Sequence, residues 1–355
     1  TLGIVGLGLM AASVVGLAVA HRSTHRARPE GEAALRETFG EDYLDGVDEA
    51  HRRRLRTAPE PGLTRHPLRF DRAGITIQRD LAYGEHPKRH LLDVYAPAEP
   101  SGTPAPVVLQ IHGGAWITGH KMQQGQPLLH QLARNGYIGV AINYRLGPRH
   151  RFPDHIIDVK RAIAWVRTNI ADHGGDPDTI VLTGGSAGGH LAALAALTPN
   201  DLAWQPGFED VDTTVAGCVP FYGPPDLRDR DRIRGRLASM EPFLARMVMP
   251  GREKQDPELW DRVSPISHVG SHAPPFFVIQ GANDVLVWRE EARAFVDALR
   301  SASNQPVGYW QVHGAQHAFD VLNSVRSAAA VDVVERFVAS VSAATVTPAS
   351  NQAVE

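Results

Sequence analysis

Short apolar runs alternate with longer amphipathic segments from residue 74 to residue 342. Runs rich in Val, Ile, Leu and Phe, bounded by turn-forming residues, predict strands at 74–82, 91–95, 106–111, 137–143, 179–183, 214–221, 275–280 and 307–312. The segments between them predict helices at 122–135, 154–172, 186–198, 288–301 and 323–342. Several strands are continuously apolar, which is typical of an α/β protein whose mostly parallel central sheet is covered by helices on both faces.

Three parts of the chain depart from this alternation. Residues 29–70 are polar with apolar residues at helical spacing, so they are interpreted as a helical N-terminal region and a candidate cap. The catalytic domain is predicted at 71–343, and its stretch 224–264, dense in Arg and Asp, is predicted to be a cap insertion. We expect the apolar residues of both cap segments to line a pocket of limited depth. The tail at 344–355 is predicted to be disordered.

The first twenty residues, 1–20, contain no charged side chain. As a helix rising 1.5 Å per residue they would span about 30 Å, the thickness of a bilayer hydrocarbon core. Arg22, Arg26 and Arg28 follow at once, which favours a membrane anchor with the rest of the chain on the cytoplasmic side. The small residues of Ala18-Val19-Ala20 leave a cleaved export signal as the alternative.

Charge and cysteine content argue against several kinds of partner. The formal net charge is −3, and the arginines are dispersed among acidic residues, so nothing indicates a nucleic-acid partner. Cys218 is the single cysteine, which excludes an intramolecular disulfide and argues against a thiolate zinc site.

A Gly-x-Ser-x-Gly turn joins the strand predicted at 179–183 to the helix predicted at 186–198. It reads Gly184-Gly185-Ser186-Ala187-Gly188-Gly189. In this strand–turn–helix context the glycines allow a tight, strained turn that exposes the serine oxygen at the helix N-terminus. Ser186 is therefore predicted to be a nucleophile.

A nucleophilic serine needs a base, and the base needs a carboxylate that orients it. Sites of parallel sheets form at the carboxyl ends of the strands. Asp284 follows the strand at 275–280 and His317 follows the strand at 307–312, in the chain order Ser, Asp, His. The rival candidates are less well placed, since Asp320 lies beyond the histidine, Glu290 within a helix and His313 at a strand end. The predicted catalytic triad is Ser186–Asp284–His317.

Adjacent glycines after the strand at 106–111 predict an oxyanion hole. The sequence there is His112-Gly113-Gly114-Ala115-Trp116. Without side chains in the way, the N–H group of Gly114, with that of Gly113 or Ala115, can point at a developing negative charge. The N–H group of Ala187 is expected to join them, whereas His112 is interpreted as a structural residue that shapes the loop.

Together these motifs resemble those of α/β-hydrolases, in the group of bacterial esterases related to hormone-sensitive lipase. The resemblance covers about residues 70–340. It rests on His112-Gly113-Gly114-Ala115-Trp116, Tyr144-Arg145-Leu146-Gly147-Pro148 with Phe152-Pro153, the serine turn, Gln280-Gly281-x-x-Asp284 and Gly314-x-x-His317-x-Phe319. It implies an α/β-hydrolase fold with a cap. It also implies hydrolysis of short- to medium-chain carboxylic esters, without a metal ion or an organic cofactor.

Two departures from the group's usual pattern keep other activities open. Ala115 stands where a third glycine is usual, and Gly185 stands where an acid often precedes the nucleophile. Both forms are similar to a neighbouring group that includes arylformamidases and small carboxylesterases. The alternatives are an arylformamidase-like amide hydrolase, a lipase acting on lipid esters at a membrane, and a non-catalytic ligand-binding member of the fold. Because no catalytic group is missing, we predict an enzyme that acts on a small ester.

Overall fold

An eight-stranded sheet with the order β1-β2-β4-β3-β5-β6-β7-β8 forms the centre of the protein. This computed structural model describes residues 22, 24–55, 67–68, 70–99, 102–235 and 238–346. The strands are β1 (Ile75–Ala82), β2 (Leu91–Pro97), β3 (Ala105–Ile111), β4 (Ile138–Ile142), β5 (Gly175–Gly185), β6 (Gly217–Phe221), β7 (Phe276–Gly281) and β8 (Val307–Val312). Strands β3 to β8 are parallel, whereas β2 is antiparallel to both β1 and β4.

Helices cover both faces of the sheet. They are α1 (Ala27–Phe39), α2 (Glu49–Arg54), α3 (Gln126–Arg134), α4 (Asp154–Asn169), α5 (Ala187–Leu197), α6 (Glu241–Met247), α7 (Pro257–Arg262), α8 (Arg289–Ala302) and α9 (Val325–Val346). One core cluster joins the sheet to α4, α5 and α8, and a second joins it to α1, α3 and α9. Every residue of β6 and β7 is buried, as expected for central strands covered on both sides. The predicted fold class is therefore confirmed.

The described part of the N-terminal region, residues 24–55, packs against the core through α1 and the turn that follows it. Ala27 and Leu35 of α1 are fully buried in the cluster that includes Trp310 of β8 and Phe337 of α9. Tyr43, just after α1, is buried in the same cluster. This differs from the expectation of a cap whose apolar residues line a substrate pocket, because β8 and α9 already cover the apolar stripe of α1.

Helix α1 runs parallel to α9. Contacts follow one another in the same order along both helices: Arg28 pairs with Asp332, Glu32 with Arg336, and the ring of Phe39 with that of Phe337. Helix α9 begins near the carboxyl end of β8, since the Arg326 side chain in its first turn donates to the carbonyl oxygen of His313 at 3.0 Å. The N-terminal end of α1 therefore points toward the carboxyl edge of the sheet.

The insertion 224–264 is anchored to the loop before α4. Leu244, Val248 and Met249 are fully buried in the core, so they do not form the pocket wall that the sequence led us to expect. The carbonyl oxygen of Val248 accepts the N–H of Phe152 at 2.9 Å. The Arg151 guanidinium donates to the carbonyl oxygens of Arg246 and Met249 at 2.8 and 2.9 Å. These bonds hold the insertion close to the domain.

The two ends of the chain fall only partly within the described residues. Helix α9 continues to Val346, so the predicted disordered tail begins too early, and residues 347–355 lie outside the described part. Val338 and Val341 are buried, which explains why the helix extends this far. The predicted anchor, residues 1–20, also lies outside it. Of the helices that are described, none is both long enough and apolar enough to cross a bilayer.

Candidate active site

Ser186 occupies a strained turn between β5 and α5. Its φ of 57° and ψ of −120° lie in a region that non-glycine residues rarely adopt. The turn is held by two backbone hydrogen bonds of 2.9 Å, one from the Ser186 N–H to the carbonyl oxygen of Phe221 and one from the His190 N–H to that of Ser186. The serine is partly exposed at the carboxyl edge of the sheet, where a nucleophile can meet a substrate.

Three side chains form a continuous hydrogen-bonded chain at this edge. His317 Nε2 lies 2.9 Å from Ser186 Oγ, and His317 Nδ1 lies 2.7 Å from Asp284 Oδ2. The other oxygen of Asp284 accepts the N–H groups of Leu286 and Val287 at 2.8 and 3.0 Å. The Asp284 carboxylate is fully buried, so these bonds hold it in one orientation against the imidazole. The arrangement can move a proton from the serine to the histidine.

The other candidate acids and the other candidate base are not part of this series of hydrogen bonds. Glu290 pairs with Arg289 at 2.8 Å in the first turn of α8, and His313 is exposed just beyond β8. Asp320 lies close to the site, but its carboxylate accepts the hydroxyl of Tyr222 and not the imidazole of His317. Within the described residues, no group of three or more His, Cys, Asp or Glu side chains is placed to hold a metal ion.

The loop 112–116, named the oxyanion loop below, passes directly beside the nucleophile. A Cβ built on Gly113 would lie 3.3 Å from the Cβ of Ser186. Gly114 has a φ of +115°, and a Cβ there would lie 2.2 Å from the carbonyl oxygen of Thr118, so only glycine fits. The Gly113 N–H is already bonded to Gln124 Oε1 at 2.6 Å. The hydrogen bonds of the described residues give no protein acceptor to the N–H of Gly114 or of Ala187, so both can serve a ligand.

His112 is a buried structural residue of this loop. Its ring stacks on Tyr144 with a centroid separation of 4.4 Å, and its Nδ1 lies 2.7 Å from the carbonyl oxygen of Gly113. Burial lowers the pKa of His112 to about 4, so the imidazole is neutral at neutral pH. The Tyr144 hydroxyl donates to the His112 carbonyl oxygen at 3.0 Å. These contacts agree with the interpretation that His112 shapes the loop.

Two buried polar residues that lie beside the site were not predicted from the sequence. Tyr222 directly follows β6, and its ring centroid lies 4.6 Å from that of His317. A polar residue just past a central strand, at the edge where sites form, was a usable signal for it. Gln124 lies in a loop without a motif, so its contact with Gly113 depends on the tertiary structure alone.

Known proteins similar to this chain are esterases. The BD-FAE family model matches residues 92–299. The chain is 46% identical over 336 residues to the probable carboxylic ester hydrolase LipM of Mycobacterium tuberculosis, covering 93% of this chain and 76% of that protein. It is 44% identical over 308 residues to the esterase LipQ of the same bacterium, covering 86% and 72%. The solved structure of propionate-bound Est2, an esterase of Thermogutta terrifontis, aligns with a TM-score of 0.61 and 26% identity, covering 75% and 94%.

The activities of these relatives agree with the chemistry that the geometry of the site allows. Their bacterial source supports a bacterial origin for this chain, and the activity given for both relatives is the hydrolysis of esters. The sheet, the serine turn and the hydrogen-bonded Ser–His–Asp chain are those of the fold that the sequence predicted. The chain belongs to the BD-FAE family and is a carboxylic ester hydrolase of the α/β-hydrolase fold.

Proposed function

We propose that Ser186, His317 and Asp284 carry out acyl transfer from an ester to water. The supporting observation is the chain of 2.7 and 2.9 Å contacts from Asp284 through His317 to Ser186. His317 takes the serine proton as Oγ attacks the ester carbonyl, and then gives that proton to the leaving alcohol. Asp284 keeps the proton of His317 on Nδ1 and stabilises the imidazolium. A water molecule, activated by the same histidine, hydrolyses the acyl-enzyme.

The N–H groups of Gly114 and Ala187 are the proposed donors of the oxyanion hole. Negative charge develops on the carbonyl oxygen in the transition state, and donors that already point there stabilise it without reorganising. The N–H of Gly113 is engaged by Gln124, so Gly113 is assigned to the support of the loop.

Short- to medium-chain esters are the proposed substrates. The solved structures of Thermogutta terrifontis Est2, at 26% and 25% identity, are described as propionate-bound and butyrate-bound. A protein similar to this chain thus binds short-chain carboxylates, which are the acid products of short-chain esters.

We expect kcat/KM on p-nitrophenyl esters to rise with acyl length up to butyrate or octanoate and then to fall. Each methylene group that the pocket accepts contributes about 0.8 kcal/mol, or roughly fourfold in kcat/KM. The measurement is a series from acetate to palmitate, with an N-formyl arylamine assayed in parallel. A rise out to palmitate with activation at an oil–water interface would indicate a lipase, and faster cleavage of the formamide would indicate an arylformamidase-like enzyme.

Residues 1–20 are proposed to attach the enzyme to a membrane. The segment is uncharged over the length of a bilayer core, and Arg22 and Arg26, which follow it, are exposed. The N-terminal end of helix α1 points toward the carboxyl edge of the sheet, the same edge that carries Ser186. The tether therefore joins the domain on the side of the catalytic groups, and an ester dissolved in or bound to the bilayer would lie close to the site.

Deleting residues 1–21 should release a soluble enzyme with nearly unchanged kcat/KM on a water-soluble ester. The full-length protein should pellet with membranes and resist extraction by high salt, because salt screens surface charge but not apolar insertion. Deletion through Arg28 is the matched comparison, and it should lower the melting temperature because it removes the buried Ala27 and the Arg28–Asp332 ion pair. Recovery of a mature protein that begins at His21 from the culture fluid would show that residues 1–20 are a cleaved export signal and not an anchor.

A further inference from the structure

A continuous line of hydrogen bonds runs from Asp320 to the oxyanion loop. The Tyr222 hydroxyl donates to the Asp320 carboxylate, and Gln124 Nε2 donates to the Tyr222 hydroxyl at 2.9 Å. The Gly113 N–H donates to Gln124 Oε1 at 2.6 Å. Tyr222 and Gln124 are buried and Asp320 is partly buried, so the line is shielded from solvent over most of its length.

The direction of each bond in this line is determined by the groups at its ends. Asp320 Oδ1 accepts the one proton of the Tyr222 hydroxyl. The hydroxyl oxygen must then accept from the amide nitrogen of Gln124. This orientation turns the amide oxygen of Gln124 toward Gly113, where it meets an N–H that can only donate. Asp320 thus determines the orientation of Gln124 and, through it, of the Gly113 peptide.

Gly185 shows how tightly this line packs against the nucleophile. A Cβ on Gly185 would lie 2.1 Å from Gln124 Nε2 and 2.7 Å from the Tyr222 hydroxyl. A side chain at this position, where similar esterases often carry an acid, would therefore displace Gln124 Nε2 and the Tyr222 hydroxyl. Asp320, after β8, binds the same Tyr222 hydroxyl through its carboxylate.

We propose that Gln124, Tyr222 and Asp320 are positioning residues that hold the oxyanion loop in the orientation that stabilises the transition state. The inference rests on the proposed function, since it needs the Gly114 N–H to act as an oxyanion donor. A displaced donor weakens the stabilisation of transition-state charge and affects ground-state binding little, so the loss should appear in kcat and not in KM.

The first test compares two tyrosines whose hydroxyls each donate to a carboxylate. Tyr222→Phe breaks the line of hydrogen bonds at its centre. Tyr43→Phe removes the 2.9 Å hydrogen bond from the Tyr43 hydroxyl to Glu32, which lies in the N-terminal region. Tyr222→Phe should lower kcat about 10- to 100-fold with KM nearly unchanged, a part of the effect of one lost donor. Tyr43→Phe should leave both constants unchanged, even where the two variants lose similar thermal stability.

A second pair of variants tests the anchor itself and remains informative if Tyr222→Phe does not fold. Asp320→Asn keeps an oxygen that can accept the Tyr222 hydroxyl, so it should retain most of the wild-type kcat. Asp320→Leu removes the acceptor and should lower kcat to the level of Tyr222→Phe, again at nearly constant KM.

Two results would overturn the inference while leaving the catalytic serine in place. One is kcat in Tyr222→Phe and Asp320→Leu that falls no further than in Tyr43→Phe. The other is an increase in KM with kcat intact, which would make the loop a ground-state binding element. Activity that survives in Ser186→Ala, measured in the same assay, would instead overturn the proposed function on which the inference depends.

Discussion

Replacing Ser186 by alanine is expected to lower kcat on p-nitrophenyl butyrate by about 10⁴- to 10⁶-fold, and His317→Ala should lower it by a similar factor. The two side chains act as one unit, because the 2.9 Å contact between Nε2 and Oγ is the path along which the proton leaves the serine. Without either group only substrate binding and the oxyanion donors remain. Steady-state kinetics of the purified variants, with circular dichroism to verify folding, measure the effect.

His313→Ala is the matched control for His317→Ala. His313 lies only a few residues before His317, but it is exposed and its side chain has no bond to the serine or to Asp284. We expect wild-type kinetics for this variant. An inactive His313→Ala enzyme together with an active His317→Ala enzyme would show that the base has been wrongly assigned.

Asp284→Asn is expected to lower kcat by about 10⁴-fold through the wrong tautomer of the imidazole. The asparagine can use its oxygen to keep the N–H bonds from Leu286 and Val287, which leaves its NH₂ group facing His317 Nδ1. Nδ1 must then accept, so the ring proton moves to Nε2 and points at Ser186 Oγ. In that state the histidine cannot take the serine proton.

Glu290→Gln provides the comparison for the acid. Glu290 was the helical rival in the sequence, and in the structure it pairs with the exposed Arg289. Steady-state kinetics should show a lower kcat in Asp284→Asn and the wild-type kcat in Glu290→Gln. An inactive Glu290→Gln variant together with an active Asp284→Asn variant would show that Asp284 is not the carboxylate that orients His317.

The strands and the positions of the three hydrogen-bonded side chains could be predicted because each depends on local sequence and on a general rule of parallel sheets. Runs rich in apolar residues indicated the strands, and the ends of β5, β7 and β8 gave the positions of Ser186, Asp284 and His317. No knowledge of long-range contacts was needed beyond the rule that the carboxyl ends of parallel strands share one edge.

The N-terminal helix and the oxyanion loop depend on contacts that the sequence does not show. The spacing of Leu35 and Phe39 predicts an amphipathic helix, but not that α9 and β8 cover its apolar face. Adjacent glycines likewise predict an oxyanion loop, but not which N–H is free. That depends on Gln124, eleven residues beyond Gly113, whose amide is oriented by Tyr222 and Asp320.

The central claim is that Ser186 is the acylated nucleophile, and mapping of a covalent phosphonate adduct tests it most directly. The protein is treated with a p-nitrophenyl alkylphosphonate, digested, and sequenced by tandem mass spectrometry. A single adduct on Ser186, formed in step with the loss of esterase activity and absent from Ser186→Ala, is the predicted result. An adduct on another residue that accounts for the lost activity, or full inactivation with Ser186 unmodified, would contradict it.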